Sequence, residues 1–380
     1  MTRSVLPVRG RFPVLVAGVA LALAACGGPP APEESGGGGG AAATATSAAA
    51  LGGMSKLVDA AKKEGKLNVI ALPPDWANYA AIIKAFEAEY GITVTSAQPD
   101  ATSQDEITAA KQLKGTPRAP DVFDLGSAVA LANTGTFASY KVAGWAGVPN
   151  DLKAADGKWV ADYGGYMAIG YDAKKVPAPH SVSDLLKPAY KGKVALNGDP
   201  TQAGAGFAGV QMAAVERGGS PANVKPGVDF FADLKKAGNF LPVDPTPATI
   251  SSGQTPVVID WDYTNAAQTD ALKGKVDWKV VVPGKSVIAA YYSQAINAQA
   301  PHPAAARLWQ EFVMSDAGQN LYLKGYARPS RTDAMRKAGT LDATAYAKLP
   351  KVSGKPVQPA EDQNQQATAY LSKHWSKAVG

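Results

Sequence analysis

Aromatic and acidic side chains occur together at two places in this sequence, where they could bind a positively charged organic group. Trp76 and Tyr79 form one pair, and Trp261, Asp262 and Tyr263 are consecutive. A cation over the face of an aromatic ring gains ~0.5 to 2 kcal/mol, and a nearby carboxylate adds opposite charge. The alternative is that these rings pack at helix ends and that the acid only caps a helix.

Both aromatic groups follow apolar runs that are typical of buried parallel strands, at 67–72 and 256–260. Segments with helical periodicity separate these strands along the chain, which predicts an open α/β sheet. Ligands of such sheets bind outside the carboxyl ends of the strands. Ser127 and Asp199 also follow predicted strands, so we expect them near the same site.

The chain is long enough for two lobes. About 325 residues follow the N-terminal segment, whereas single cores stop growing at roughly 250 to 300 residues. We predict lobe 1 at 54–165, lobe 2 at 166–285, and a return to lobe 1 with C-terminal helices at 286–380. Two crossing strands would form the hinge, and the ligand cleft would lie between the lobes.

The N-terminus has the features of an export signal. A basic start is followed by an apolar run at 12–25, which at about 14 residues is too short to span a bilayer. It ends in Leu23-Ala24-Ala25-Cys26, which resembles a bacterial lipobox, and Cys26 is the only cysteine. We predict a signal peptide at 1–25, lipidation of Cys26, and a flexible linker at 26–53. The protein would be exported and anchored to the outer face of the cytoplasmic membrane; a transmembrane anchor and an ordinary secreted signal are the alternatives.

Composition excludes several kinds of function. The net charge of +6 falls to +3 on maturation, because three arginines and no acid precede Cys26, and the chain lacks the Lys/Arg runs of nucleic-acid-binding proteins. The chain has three histidines, His180, His302 and His374. No two of them have the spacing of metal ligands, and none can be combined with a serine and an acid into a catalytic triad. We therefore expect no enzymatic activity, no cofactor and no nucleic-acid partner, although tyrosines and carboxylates could hold a hard cation such as ferric iron.

A glycine pattern at 204–209 matches G-x-G-x-x-G, with Asp229 twenty residues further on. A dinucleotide site would need that acid at the end of a strand, but Asp229 lies in a segment that is predicted to be helical. The glycines fit better as a loop that exposes backbone N–H groups to a ligand, or as positions of close packing.

From 67 to 331 the chain resembles the solute-binding lipoproteins of bacterial ABC importers, in the group that binds polyamines, thiamine, ferric iron or phosphonates. The similar segments are Tyr190-Lys191-Gly192-Lys193-Val194, Gly198-Asp199-Pro200-Thr201, and the stretches 300–306 and 315–319. This resemblance implies a two-lobed periplasmic-binding-protein fold and a monomeric receptor. Such a receptor closes on a small-molecule solute and delivers it to a membrane permease.

The resemblance also implies ligand contacts. Compared with polyamine binders, matching residues are Trp76, Tyr79, Ser127, Asp199 and Trp261, with Asp199 as the amine-binding acid. We add Asp262 as a second negative charge.

Two positions depart from the polyamine pattern, because Gln202 and Tyr292 stand where those proteins carry acids. We therefore predict a small cationic organic solute that is polyamine- or thiamine-like, with Gln202 and Tyr292 as further contacts. Ferric iron and an aminoalkylphosphonate are alternative ligands; an exported enzyme and a scaffold lipoprotein are alternatives of another class.

Overall fold

Strands and helices alternate along residues 39–380, the part of the chain that the computed structural model describes. The strands are β1 (Lys66–Ile70), β2 (Thr93–Ala97), β3 (Val122–Gly126), β4 (Phe137–Ala138), β5 (Val160–Asp172), β6 (Val194–Leu196), β7 (Val257–Trp261), β8 (Trp278–Val281), β9 (Ala289–Asn297) and β10 (Arg328–Pro329). The helices are α1 (Gly39–Thr44), α2 (Met54–Glu64), α3 (Tyr79–Tyr90), α4 (Ser103–Gln112), α5 (Ser127–Ala132), α6 (Gly204–Glu216), α7 (Lys225–Lys236), α8 (Pro247–Ser252), α9 (Asp262–Ala271), α10 (Pro303–Val313), α11 (Asp316–Lys324), α12 (Thr332–Ala338), α13 (Ala343–Ala347) and α14 (Glu361–Val379). The predicted signal peptide and Cys26 lie outside the described residues.

The main sheet has the strand order β3-β9-β5-β7-β6, and β1 and β2 form a separate parallel pair. Strand β5 is 13 residues long and belongs to both halves of the molecule. Its first part pairs with β9 and β10, and its second part pairs with β7 and β8. The fold is therefore the predicted α/β fold of two lobes, with β5 running from lobe 1 to lobe 2. The lobe boundaries at 165 and 285 stay predictions.

Gly164 and Gly165 in β5 allow two other elements to approach this strand closely. A Cβ atom at Gly165 would lie 2.5 Å from Cδ1 of Tyr263 and 2.6 Å from Oδ1 of Asp262. At Gly164 it would lie 2.5 Å from the carbonyl oxygen of Ala290. The backbone of β5 is thus in direct contact with the start of α9, and a side chain at Gly165 would push the lobes apart.

Local signals mark the ends of two helices. Thr102 and Asp105 form a capping box at the start of α4, and Gly91 ends α3 with a φ of 68°.

The glycines of the G-x-G-x-x-G segment lie in α6 and allow this helix to pack closely against its neighbours. A Cβ atom at Gly206 would lie 2.3 Å from the carbonyl oxygen of Gly198, and one at Gly209 would lie 2.6 Å from Leu196. Asp229 is on helix α7, where it pairs with Lys225. The residues therefore match the packing interpretation, not a dinucleotide fingerprint.

The N-terminal stretch 39–53 belongs to the folded body, so the prediction of a flexible linker is wrong there. Ala42 and Ala45 are buried, and the buried guanidinium of Arg307 donates hydrogen bonds to the carbonyl oxygens of Ala45 (2.9 Å) and Ala43 (2.7 Å). Small residues allow this segment to pack closely against α10. The rest of the predicted linker lies outside the described residues.

The C-terminal helix α14 packs mainly on lobe 2 and also contacts α5 of lobe 1. The ring of Trp375 lies 5.3 Å from that of Phe231 on α7, and Gln211 of α6 donates a 3.0 Å hydrogen bond to Asn364. The chain end thus reaches both lobes.

Within residues 39–380 there is no helix with the length and apolar character that a bilayer span requires.

Candidate functional site

Five aromatic rings from both lobes meet where the lobes adjoin. Trp76 comes from the loop after β1, Tyr163 from β5, Tyr292 from β9, and Trp261 and Tyr263 from the junction of β7 and α9. The ring of Trp76 lies 5.5 Å from that of Tyr263 and 5.7 Å from that of Tyr292, both edge to face. Tyr163 stacks on Tyr292 at 5.4 Å, and Trp261 stacks on Tyr263 at 6.2 Å. We call these five residues the aromatic cluster.

The loop that carries Trp76 has a strained backbone, which is held in place by packing. Ala77 and Asn78 have φ angles of 47° and 70°, in the left-handed region that non-glycine residues rarely adopt. Asn78 Nδ2 donates a hydrogen bond to the carbonyl oxygen of Leu321 at 2.8 Å, and a Cβ atom at Gly325 would lie 2.9 Å from the carbonyl carbon of Ala77. Packing against the end of α11 therefore fixes the position of the indole.

A chain of hydrogen bonds links the aromatic cluster to a buried acid. Trp76 Nε1 donates to Tyr163 Oη at 2.7 Å, and the Tyr163 hydroxyl donates to Asp124 Oδ2 at 2.8 Å. Asp124 is 5% exposed, and its Oδ1 has no hydrogen-bond partner among the described residues. Burial raises the pKa of Asp124 to about 7, although the phenol hydroxyls of Tyr79 and Tyr163 oppose this shift.

Further buried acids lie near Asp124 and the aromatic cluster. Glu106, Asp162 and Asp260 are buried, and neither they nor Asp124 form a salt bridge among residues 39–380. Burial raises the pKa of Asp260 to about 7 and also raises the pKa of Asp162 and of Glu106. A cation near these groups would favour their ionised forms, so the site is electrostatically suited to positive charge.

Asp262 is engaged in a contact between the lobes. Its carboxylate forms an ion pair with Arg328 of β10 and accepts the backbone N–H of Tyr166 at 2.9 Å. The guanidinium of Arg328 also lies over the ring of Tyr166, at 4.2 Å from its centroid. Nearby, the hydroxyl of Tyr326 donates to Asp270 of α9. Two side chains of lobe 1 therefore contact α9, Arg328 at its first residue and Tyr326 in its last turn.

Residues 118–352 match the family described as bacterial extracellular solute-binding protein. The chain belongs to this family. The protein is thus an exported protein that binds a solute outside the cytoplasm. The family consists of binding proteins and not of enzymes, as the sequence predicted.

Solved structures of periplasmic binding proteins share the fold of this solute-binding protein. AgtB of A. tumefaciens R10, in complex with agropinic acid, matches with a TM-score of 0.65 at 17% identity, over 83% of this chain and 98% of AgtB. Iron-bound HitA of Pseudomonas aeruginosa matches with a TM-score of 0.59 at 20% identity, over 82% and 99% of the two chains. The spermidine/putrescine protein PotD of Streptococcus pneumoniae matches with a TM-score of 0.56 at 14% identity, over 83% and 99%. No curated protein sequence matches the chain.

Three of the predicted contact residues of this solute-binding protein, Trp76, Trp261 and Tyr292, come together in the aromatic cluster. Tyr79 lies behind it, fully buried, with its hydroxyl 3.2 Å from that of Tyr322. Asp262 lies between Trp261 and Tyr263 in the sequence, and both of these belong to the cluster, but its carboxylate is paired with Arg328. The ligand roles of all five predicted residues remain predictions.

The other three predicted residues lie around the cluster. Ser127 Oγ donates to the carbonyl oxygen of Tyr291 at 2.9 Å. Asp199 is exposed, and its carboxylate accepts hydrogen bonds from the backbone and hydroxyl of Thr201 within its own turn. Gln202 is also exposed. The turn that holds these two residues leads into α6, whose first residue, Gly204, would place a Cβ atom 3.4 Å from Tyr292 Oη.

Sequence reasoning missed Tyr163 and Asp124 and gave Tyr263 no role of its own. Asp124 interrupts the apolar strand β3, and an acid inside a buried strand needs a partner or a function, which is a usable signal. Tyr163 stands directly before Gly164 and Gly165 of β5. Only the tertiary fold, however, shows that its hydroxyl joins Trp76 to Asp124.

Proposed function

We propose that this protein captures a small organic cation with one positive charge at the aromatic cluster and delivers it to a membrane permease. The observation that supports this most is the position of five aromatic rings, contributed by both lobes, beside buried acids that have no basic partner among the described residues. The predicted lipid anchor at Cys26 would keep the receptor next to that permease.

An organic cation fits the chemistry of the cluster. Ring faces stabilise cations that are poorly hydrated, because little water must be removed from them, and Trp is the strongest of these partners. Asp124 supplies opposite charge through Tyr163, which accepts from Trp76 and donates to the carboxylate. Such a site would favour a thiazolium or alkylated ammonium group over a strongly hydrated metal ion.

The placement of the exposed and paired acids favours a single charge over a polyamine. A polyamine needs carboxylates at both ends of the site, but Asp199 is bonded within its own turn and Asp262 is paired with Arg328. Gln202 and Tyr292 carry no charge where polyamine binders have acids. A thiamine-like cation therefore fits better than spermidine.

Binding of such a solute would hold the lobes together. Trp76 and Tyr292 belong to lobe 1, whereas Trp261 and Tyr263 belong to lobe 2, so a cation between their rings would contact both. This differential contact with the closed state is what closure requires.

The test uses the chain from Gly27 onward, which keeps every described residue. Thermal shifts and calorimetric titrations with thiamine, choline, spermidine and putrescine would be compared with 2-aminoethylphosphonate and ferric citrate. A ligand at 100 times its Kd stabilises the folded protein by ~2.7 kcal/mol, which a melting curve resolves. We expect thiamine or choline to bind more tightly than the polyamines.

Two variants locate the site. Trp76→Ala should abolish the shift, whereas Trp145→Ala, at a half-buried tryptophan elsewhere in lobe 1, should leave it intact. A shift with ferric citrate alone would overturn the proposal in favour of iron. A shift with the phosphonate alone would move the site to the turn before α6.

A further inference from the structure

Asp124 is placed so that its charge depends on what occupies the cleft. Its carboxyl group lies directly behind the aromatic cluster, 5% exposed. One oxygen accepts the hydroxyl proton of Tyr163, and the other has no hydrogen-bond partner in the described part of the chain. A buried carboxylate with an unpaired oxygen and no counter-charge is costly, whereas the neutral acid avoids most of that cost.

Within residues 39–380, the titratable groups that interact with Asp124 are acids and phenols. They come from all the elements that pack around it: Tyr79 of α3, Glu106 of α4, Asp162 and Tyr163 of β5, Tyr263 of α9, Tyr292 of β9 and Tyr322 of α11. Glu106 is so close that its Oε2 accepts the backbone N–H of Asp124 at 3.0 Å. None of these groups carries a positive charge that could neutralise an ionised Asp124, and Asp124 forms no salt bridge within residues 39–380.

We propose that Asp124 is protonated in the free protein and releases its proton to solvent when an organic cation binds at the aromatic cluster. The inference rests on the proposed function and adds its coupling to pH. In this step the carboxyl O–H bond breaks, the proton passes to buffer, and the carboxylate becomes the counter-ion of the bound cation. One cation would thus be exchanged for up to one proton.

The hydrogen-bond chain gives the exchange a structural route. Tyr163 donates to Asp124 and accepts from Trp76, so a change of charge on Asp124 alters the polarity of the hydroxyl that holds the indole. The pKa of Asp124, raised to about 7 by burial, places the change in the physiological range. Affinity should be highest above this value and should fall about tenfold for each pH unit below it.

The experiment is calorimetric titration with thiamine and with choline, each of which carries a permanent positive charge. Titrations at about pH 6 in buffers of different ionisation enthalpy report the number of protons released. We expect close to one proton at about pH 6 and close to none at about pH 8.5 for the intact chain. Asp124→Asn should release none at either pH and should lose the pH dependence of Kd.

Glu311→Gln is the matched control, because Glu311 is also buried and burial raises its pKa, but its carboxylate accepts hydrogen bonds from Tyr140 and from the backbone N–H of Ala143, outside the aromatic cluster. It should keep the proton release; if it abolishes the release instead, the assignment to Asp124 is overturned. Infrared difference spectra of the intact chain need no variant. They should show loss of a protonated-carboxyl band when thiamine or choline binds at about pH 6.

The two proposals fail in different ways. If neither cation binds, the proposed function fails and the proton exchange fails with it. If a cation binds at about pH 6 without proton release and without loss of the carboxyl band, only the exchange is overturned.

Discussion

Trp76 Nε1 lies 2.7 Å from the hydroxyl oxygen of Tyr163, and this hydrogen bond joins a loop of lobe 1 to the strand that passes between the lobes. The indole also touches Tyr263 of lobe 2, edge to face at 5.5 Å. The ring that would contact a solute is therefore tied to the hinge strand on one side and to the opposite lobe on the other. A substitution at Tyr163 should therefore change both the affinity for the solute and the position of the lobes.

Tyr163→Phe removes the acceptor for the indole and the donor to Asp124. We expect the affinity for the bound cation to fall about tenfold, since a buried hydrogen bond contributes ~0.5 to 1.5 kcal/mol and an unpaired group adds to the loss. Calorimetric titration would measure it. Tyr140→Phe is the control, because its hydroxyl donates to Glu311 in lobe 1; an equal loss of affinity there would contradict the role of Tyr163.

Arg328→Ala should destabilise the protein and open it. Asp262 is fully buried and would be left without its counter-charge, which typically costs ~3 to 5 kcal/mol. We expect a lower urea midpoint and a larger radius of gyration in X-ray scattering, because the pair joins β10 of lobe 1 to α9 of lobe 2.

The double variant Arg328→Ala, Asp262→Asn separates charge from packing. It should recover part of the stability that Arg328→Ala loses, since no buried charge then remains unpaired. Arg328→Lys should lie between the intact chain and Arg328→Ala, because lysine keeps the charge but loses the guanidinium bond to the carbonyl oxygen of Pro350. Equal scattering curves for all variants would show that the pair does not hold the lobes.

The sequence was informative where a signal is local. The predicted alternation of strands and helices is confirmed, and the capping box at Thr102 and the glycine stop at Gly91 likewise depend on neighbours only a few residues away. Trp76 and Trp261 could be placed at one site because both follow strands, and the carboxyl ends of strands converge in this type of sheet.

Other features depend on partners that are distant in sequence. The charge of Asp262 is visible in the sequence, but its partner Arg328 is 66 residues away, so the sequence gives no sign of this ion pair. The stretch 39–53 has the composition of a linker, yet the carbonyl acceptors that it presents to Arg307 exist only in the folded chain. Composition measures the tendency of a segment to order by itself, not the order that a buried partner imposes.

Thermal stability should fall as the pH rises from about 5 to about 7. The pKa of Asp124 and that of Asp260 are each raised from 3.8 to about 7 in the folded protein, so between these values the folded state binds protons that the unfolded state has lost. The contribution of these two groups to stability therefore decreases with rising pH in this window and levels off above about 7. Melting temperatures across this range would measure the slope.

Asp124→Asn should reduce that slope, because the amide does not ionise. Asp59→Asn, at an exposed position of α2, should leave it unchanged. A melting temperature that rises with pH between about 5 and about 7 in the intact chain would contradict the assigned protonation states.

A chain that begins at residue 54 should be less stable than one that begins at residue 37. Arg307 is 1% exposed, and burial lowers the pKa of its guanidinium to about 10. Without residues 39–53 it would lose the carbonyl oxygens of Ala43 and Ala45 and keep only that of Pro303 within its own helix. We expect a loss of about 2 to 4 kcal/mol, from these charge-assisted hydrogen bonds and from the apolar contacts of Ala42.

Urea unfolding of both chains, each with and without Arg307→Met, measures this coupling. The substitution should destabilise the longer chain, in which it removes hydrogen bonds to the segment. It should be nearly neutral in the shorter chain, in which it removes a guanidinium that is short of acceptors. If truncation leaves the unfolding midpoint unchanged, residues 39–53 act as the linker that their composition suggested.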